Sequence, residues 1–388
     1  MAEADRVVDG ALRGIRVADF SRVLAGPYAT MMLADFGADV IKVEPPAGDD
    51  TRHWSPPVDA TGRATYFGGV NRNKRSVALD LTDAAGLAEA RRLAATADVV
   101  VENFRPGVMA RFGLAYPEVR ELNPGVVYCS ITGFGAGEGA ALAGYDLLVQ
   151  AVGGLMSITG DPDGEPSKVG VALVDVLTGQ NAVAGILLAL RERDRTGEGR
   201  LVEVNLLQSL LSALTNQASS TLATGRPPRR LGNQHPSIAP YAVFRAADRE
   251  LVIAVGNDRQ FAALADVLGL SGLVEDARFR TNADRVAHRD ELHETLERAL
   301  AAASAGHWAD ALTVAGVPAG LVNDVAEAIS FADALGLDAV AETREEDDAS
   351  SPHRSIANPI RLGGDGARYR TPPPALDAHH GADWLPRG

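Results

Sequence analysis

Residues 12–44 read LRGIRVADFSRVLAGPYATMMLADFGADVIKVE. Two apolar runs, 14–20 and 38–44, flank a helical pattern that Gly26 and Pro27 open, with Pro at or near the first helical position. This is a strand–helix–strand unit whose first strand ends in Asp19. Further β-like runs at 75–81, 97–104 and 125–134 alternate with helical stretches, the signature of a layered α/β domain. Each run ends in small or polar residues, and open α/β sheets bind ligands at that end of their strands.

Working outward, residues 168–191 read KVGVALVDVLTGQNAVAGILLALR, small and apolar except for one central carboxylate, Asp175. Length alone would let this stretch span a bilayer. A central Asp costs roughly 3 kcal/mol on insertion, so the stretch reads as buried protein and no membrane partner is expected. A strand at 199–205 and a helix to 223 follow. Residues 224–241, TGRPPRRLGNQHPSIAPY, are proline-rich and read as a linker or functional loop. A hairpin and a mostly helical segment at 258–307 suggest a smaller α/β domain. The expected division is 1–223 for a large Rossmann-like domain, 224–241 for the linker, 242–325 for the small domain, and 326–388 for a C-terminal return.

The 388 residues are 46% hydrophobic and 23% charged, the composition of a globular protein. A net charge of −14 disfavours nonspecific nucleic-acid binding, so any basic groups that meet an anionic ligand must be local, as in NRNKRS at 71–76. The acidic first residues argue against a secretory or transit leader. Cys129 is the single cysteine, which excludes an intrachain disulfide and a cysteine-based metal cluster. A cytoplasmic protein without a bound metal is expected.

GFGAGEGA, 133–140, meets G-x-G-x-x-G/A loosely, but a dinucleotide fingerprint belongs after the first strand and this one follows a late strand. A dehydrogenase is therefore disfavoured. Asp175 has two readings: a helix N-cap, for which Asp is a favoured type, or a chemical group kept in apolar surroundings. Arg72, Lys74 and Arg75 could equally form a solvated turn before a strand. Tyr145 could be a core or interface residue, and Arg111 a surface group on a short helix.

Four stretches taken in order decide between these readings. LRGIRVADFSRVLAGPYATMMLADFGADVIKVE, VNRNKRSVALDL, VVENFRPGVMARFGL and VGVALVDVLTG resemble the family III CoA-transferases over nearly the whole chain. The resemblance implies a Rossmann-like large domain, a smaller domain, and a homodimer whose chains form interlocked rings. It implies acyl-CoA and a carboxylic acid as substrates, with no tightly bound cofactor. The family's nucleophile position falls on Asp175. Its CoA-contact positions fall on Leu24, Ala25, Leu79, Asn103, Phe104, Arg105, Arg111, Thr132, Gly133, Phe134 and Gly135; Arg72 and Lys74 are further CoA-binding candidates, Arg72 or Arg105 as substitutes for the contact altered at Pro45. A CoA-binding arginine of the formyl-CoA transferase branch is replaced here by Pro45, and GNQHPSIAPY, 232–241, stands where that branch has a glycine-rich loop.

The family also holds racemases, which use an Asp together with a His in a GHD motif. Here AGYD puts Tyr145 at the His position, and a phenol with a pKa near 10 is a poor base at neutral pH. Transfer is expected, not racemisation. The resemblance favours small dicarboxylates, with succinyl-CoA as donor and glutarate or a similar diacid as acceptor. An oxalate-type acceptor and a binding-only CoA subunit are the alternatives. A distal carboxylate needs a cation or hydrogen-bond donor, and Arg22, Arg52, Arg72, Tyr145 and His235 are the candidates.

Overall fold

The computed structural model describes residues 9–344, 352–363 and 366–387. The first eight residues, used above to argue against a leader, and the start of the tail at 350 lie outside the described residues. Six parallel strands form one sheet: β1 (Arg16–Asp19), β2 (Asp39–Glu44), β3 (Lys74–Ala78), β4 (Val99–Glu102), β5 (Val127–Thr132) and β6 (Leu201–Asn205). Their spatial order is β3-β2-β1-β4-β5-β6, the doubly wound arrangement. Every residue of β2 and β4 is buried, as strands covered on both faces require; β4 is apolar but for Glu102, whereas Asp39, Lys42 and Glu44 of β2 are buried in ion pairs.

One face packs Val17, Val40, Val99 and Val127 against the helices Ala25–Asp35 and Leu173–Thr196. The other packs Ala18, Ile41, Val100 and Tyr128 against Ala90, Leu93 and Ala94 of the helix Ala84–Thr96. The Leu173–Thr196 helix is the one described helix long and apolar enough to cross a membrane, yet it lies against β5, β6 and the Ala25–Asp35 helix. Gly179 permits that closeness: a Cβ there would meet the Ala25 carbonyl oxygen at 2.7 Å. The single helix expected up to 223 is two, Leu206–Ala213 and Thr215–Thr224.

Contacts divide the chain into two units. The first holds the sheet and comprises the chain up to Leu155, Val169–Thr224 and everything from Leu337 onward. The second is Met156–Lys168 with Gly225–Gly336, so it also takes in a short segment ahead of Asp175 and extends past the boundary at 325. Its sheet is antiparallel, in the order β7 (Tyr241–Arg245), β8 (Glu250–Ala254), β9 (Ala319–Leu321). Phe244, Leu251 and Ile253 from that sheet pack with Phe261, Leu264, Leu296 and Leu312 from its helices.

The C-terminal return is stitched to the first unit by named bonds. The Trp384 indole donates to Thr96 Oγ1 at 2.7 Å, the Ala78 N–H to Asp377 Oδ1 at 2.9 Å, and the Leu385 N–H to Asp39 Oδ2 at 2.8 Å. Arg72 belongs to this stitching. Its Nε and Nη2 donate to the two Asp35 oxygens at 2.9 and 2.6 Å, and Nη1 donates to Ser355 Oγ and the Ile356 carbonyl. The guanidinium is buried, so the solvated turn considered for this segment is not what forms.

Removing one member of a buried pair strands the other charge. Arg72→Met should therefore lower stability by about 3 kcal/mol or more, and Asp35→Leu in the same chain should restore part of it. Denaturant unfolding of the single and double variants checks this.

Candidate active site

The strand order reverses between β1 and β4, and the loops leaving their C-terminal ends are tied together there. The Arg22 N–H donates to Asn103 Oδ1 at 2.8 Å, and Asn103 Nδ2 donates back to the Arg22 carbonyl at 2.7 Å. Behind this pair lies a buried ionic network. Lys42 Nζ donates to the Ser21 carbonyl and to Asp49 Oδ2, both at 2.9 Å, and Asp49 accepts from the Val23 N–H. Those bonds hold Val23 at φ 67°, a left-handed conformation that a β-branched residue adopts only when its surroundings impose it.

Lys74 serves the same network. Its Nζ donates to Asp19 Oδ2 at 3.0 Å, to the Pro27 carbonyl and to Asn71 Oδ1. Burial pulls its ammonium down to about 8, against the opposing pull of Asp19. Arg52 makes a two-pronged pair with Glu44, both contacts at 2.7 Å, and lies over the Phe67 ring. These cations are occupied within the scaffold.

An open cleft of about 190 Å³ lies at the β1/β4 reversal. Of the residues singled out from sequence, Arg22, Leu24, Ala25, Asn103, Phe104, Arg105, Thr132, Gly133, Phe134, Gly135, Tyr145 and Asp175 line it. Arg52, Arg72, Lys74, Leu79, Arg111 and His235 do not. Leu79 packs in the core beneath the sheet, and Arg111 is exposed on the short helix Val108–Arg111. His235 belongs to the second unit, where its ring sits 5.3 Å from that of Tyr241 and Arg289 donates to its carbonyl. Arg22 projects over the Phe104 ring at 5.1 Å and approaches Asp50 at 3.5 Å, while its buried Nε has no hydrogen-bond partner.

The glycine cluster is a chain reversal, not a nucleotide fingerprint. Gly133 and Gly144 touch so closely that a Cβ on Gly133 would meet Gly144 Cα at 2.4 Å. This contact turns the loop after β5 back on itself and delivers Tyr145 and Asp146 to the cleft. Sequence reasoning passed over Asp146. Its Oδ2 accepts from the Val174 N–H at 2.8 Å and the Asp175 N–H at 3.2 Å, while Gln150 donates to its Oδ1 at 2.6 Å. The spacing AGYD…VALVD carries no local signal for such a cap, because donor and acceptor are 28 and 29 residues apart.

Asp175 is thus not the N-cap. It lies in the first turn of the Leu173–Thr196 helix, where Ala172 holds the cap position and provides no side-chain bond. Among the described residues none donates a hydrogen bond to the Asp175 carboxylate. Desolvation, and then the nearby charge of Asp146, push its pKa up to about 7. Tyr66 shares the corner: burial and the field of Asp175 push its phenol up to about 12. A weakly solvated carboxylate at the wall of a cleft can act as a nucleophile or a base.

The pattern of CoA-transferase family III matches residues 12–380. The chain belongs to that family. Over 375 residues this transferase is 44% identical to the succinate–glutarate CoA-transferase of Agrobacterium fabrum, covering 95% of this chain and 93% of that one. It is also 44% identical to the acetyl-CoA:oxalate CoA-transferase of Acetobacter aceti over 325 residues, 83% of each chain. The crystal structure of a CAIB/BAIF family protein from Brucella suis superposes with a TM-score of 0.86 at 41% identity, covering 96% of this chain and 97% of that one. Among the described residues of the transferase, no group of three or more His, Cys, Asp or Glu could hold a metal ion.

The raised Asp175 pKa has a consequence for stability. Between about pH 4 and 7 the folded transferase keeps a proton on Asp175 that the unfolded chain releases, so this residue costs stability as pH rises through that window. Asp175→Asn should be more stable than wild type by roughly 1–3 kcal/mol at pH 8, with the gap closing toward pH 4. Urea melts across that range test it; a gap independent of pH contradicts it.

Proposed function

We propose that the transferase moves CoA from succinyl-CoA to a small dicarboxylic acid such as glutarate through covalent intermediates on Asp175. The observation that carries this reading is a desolvated carboxylate with no donor of its own at the wall of the switch-point cleft. In the first step an Asp175 oxygen attacks the thioester carbonyl, the C–S bond breaks, and CoA leaves as thiolate. A mixed anhydride remains. The thiolate then attacks the aspartyl carbonyl, the anhydride C–O bond breaks, and succinate departs. The second acid attacks the aspartyl-CoA thioester, and the same steps in reverse release its CoA ester and regenerate Asp175. No net proton is consumed.

Water would hydrolyse both intermediates, so the chemistry needs dry walls, and Ile131, Phe134, Leu142 and Leu206 line the cleft. CoA phosphates and a distal substrate carboxylate both call for cations. Arg22 and Arg105 line the cleft, whereas Arg52 and Arg72 are spent on Glu44 and Asp35. We assign the distal carboxylate to Arg22, whose Nε is unpartnered, and CoA contacts to Arg105 and the loops after β1, β4 and β5.

Racemisation would need a second acid–base group facing Asp175. Tyr145 lines the cleft but is 66% exposed.

The reading extends to a cytoplasmic homodimer of interlocked rings. Large apolar side chains left open on the first unit's helices support the second subunit, Leu188 at 72% and Leu222 at 88%. The single, buried, unbridged cysteine is in keeping with a reducing compartment.

With succinyl-CoA and a panel of acids, chromatography should show glutaryl-CoA or a similar diacid ester formed at the expense of succinyl-CoA. Asp175→Ala and Asp175→Asn should reduce transfer by at least about a thousand-fold while staying folded. Wild-type turnover in either variant ends the covalent reading. In deuterated water a chiral 2-methylacyl-CoA should keep its α-proton; exchange as fast as transfer would favour the racemase.

A further inference from the structure

Asp146 and Asp175 share one helix N-terminus, and Asp146 takes its hydrogen bonds. The Leu173–Thr196 helix begins without a side-chain cap of its own, so its first N–H groups need an outside acceptor. Asp146 supplies it from the neighbouring Asp146–Val152 helix by accepting from Val174 and Asp175. Gln150 holds Asp146 in turn, and its own Oε1 accepts from the Val169 N–H at 2.9 Å, which anchors the segment entering the helix. A carboxylate at this point is favourable to the helix dipole and unfavourable to a second carboxylate one residue along.

We propose that Asp146 is a positioning residue that fixes the backbone of Asp175 and, through its negative charge, tunes Asp175 as the nucleophile. The proposal rests on the covalent reading above and explains the direction in which the mixed anhydride breaks down. Thiolate attack on the succinyl carbonyl expels aspartate and merely returns the substrates. Attack on the aspartyl carbonyl expels succinate and forms the enzyme thioester. The carboxylate of the stronger acid is the better leaving group. With Asp175 near 7 and an ordinary carboxylic acid near 4, succinate is the group that leaves. Desolvation of Asp175, and after it the charge of Asp146, therefore bias the anhydride toward product.

Other ionisable groups share this corner. Tyr66 lies within the field of both carboxylates and of Asp49. Tyr28 lies on the Ala25–Asp35 helix where Gly179 packs, and Arg22, Asp50, Arg105 and Tyr145 line the cleft. Of these, Asp146 alone is bonded to the Asp175 backbone.

Asp146→Asn keeps an acceptor oxygen for the helix and removes the charge; Asp146→Ala removes both. In wild type the acid limb of kcat/KM for succinyl-CoA should have its midpoint near 7. In Asp146→Asn that limb should move to lower pH by about one unit, the plateau should fall several-fold, and Tm should change little. In Asp146→Ala Tm should fall as well. An acid limb unmoved in Asp146→Asn overturns the proposal, as does an Asp146→Ala protein with unchanged Tm and rate. Should Asp146→Asn not fold, Asp146→Ser offers an uncharged cap with the same expected shift. The Asp175 titration is also read without turnover, from the pH dependence of the stability change caused by Asp175→Asn in each background. A shift of that dependence to lower pH when Asp146 is replaced supports the coupling even where Asp175→Asn retains turnover, an outcome that overturns the covalent reading alone.

Discussion

The Asp146 carboxylate bridging to the N–H groups of Val174 and Asp175 is the contact on which the site depends. It joins the segment that follows β5 to the start of the helix carrying Asp175, two segments far apart in the chain. It also crowds two carboxylates at one helix end. A helix N-terminus ordinarily welcomes negative charge, and here Asp146 takes up that benefit. Asp175 keeps the desolvation and the repulsion. Such an arrangement spends folding stability to leave one carboxylate weakly solvated and without a donor.

The floor of the cleft is built in the opposite way. Asp19, Lys42, Glu44, Asp49 and Lys74 are all buried, and hydrogen bonds from Thr30, Ser21, Thr51 and Ser76 satisfy their remaining acceptors. Burying this much charge brings little net stability. Its return is geometric: Lys42 and Asp49 grip the backbone of residues 21–23, and Asn103 ties that loop to the one leaving β4. The loops that line the cleft are thereby held from behind by rigid groups. Arg22, at the rim, keeps its guanidinium outside the network, with Asp50 and Phe104 as its neighbours.

Several local readings changed once the chain was folded. NRNKRS looked like a basic patch for an anionic ligand, yet Arg72 and Lys74 point inward to Asp35 and Asp19. Charge density along a sequence does not reveal partners that lie 37 and 55 residues away. GFGAGEGA met the dinucleotide fingerprint only loosely and stood after the wrong strand for it. Its glycines serve instead where backbone meets backbone, at Gly133 against Gly144, and the purpose of that contact is visible only from where Asp146 ends up.

What the sequence determined by itself was the α/β alternation, the strand ends that line the cleft, and Asp175 as the one carboxylate within the apolar run 168–191. These follow from short-range periodicity and from the cost of burying charge, both of which act over a few residues. The order of the six strands, and so the location of the cleft between β1 and β4, was decided by tertiary packing. So was the division of labour between two aspartates. Either type suits a helix N-terminus, and Asp175 stood in the expected place for the cap. Asp146 took the hydrogen bonds because the Gly133–Gly144 reversal carries it there, and a contact made through a chain reversal leaves no trace in local spacing.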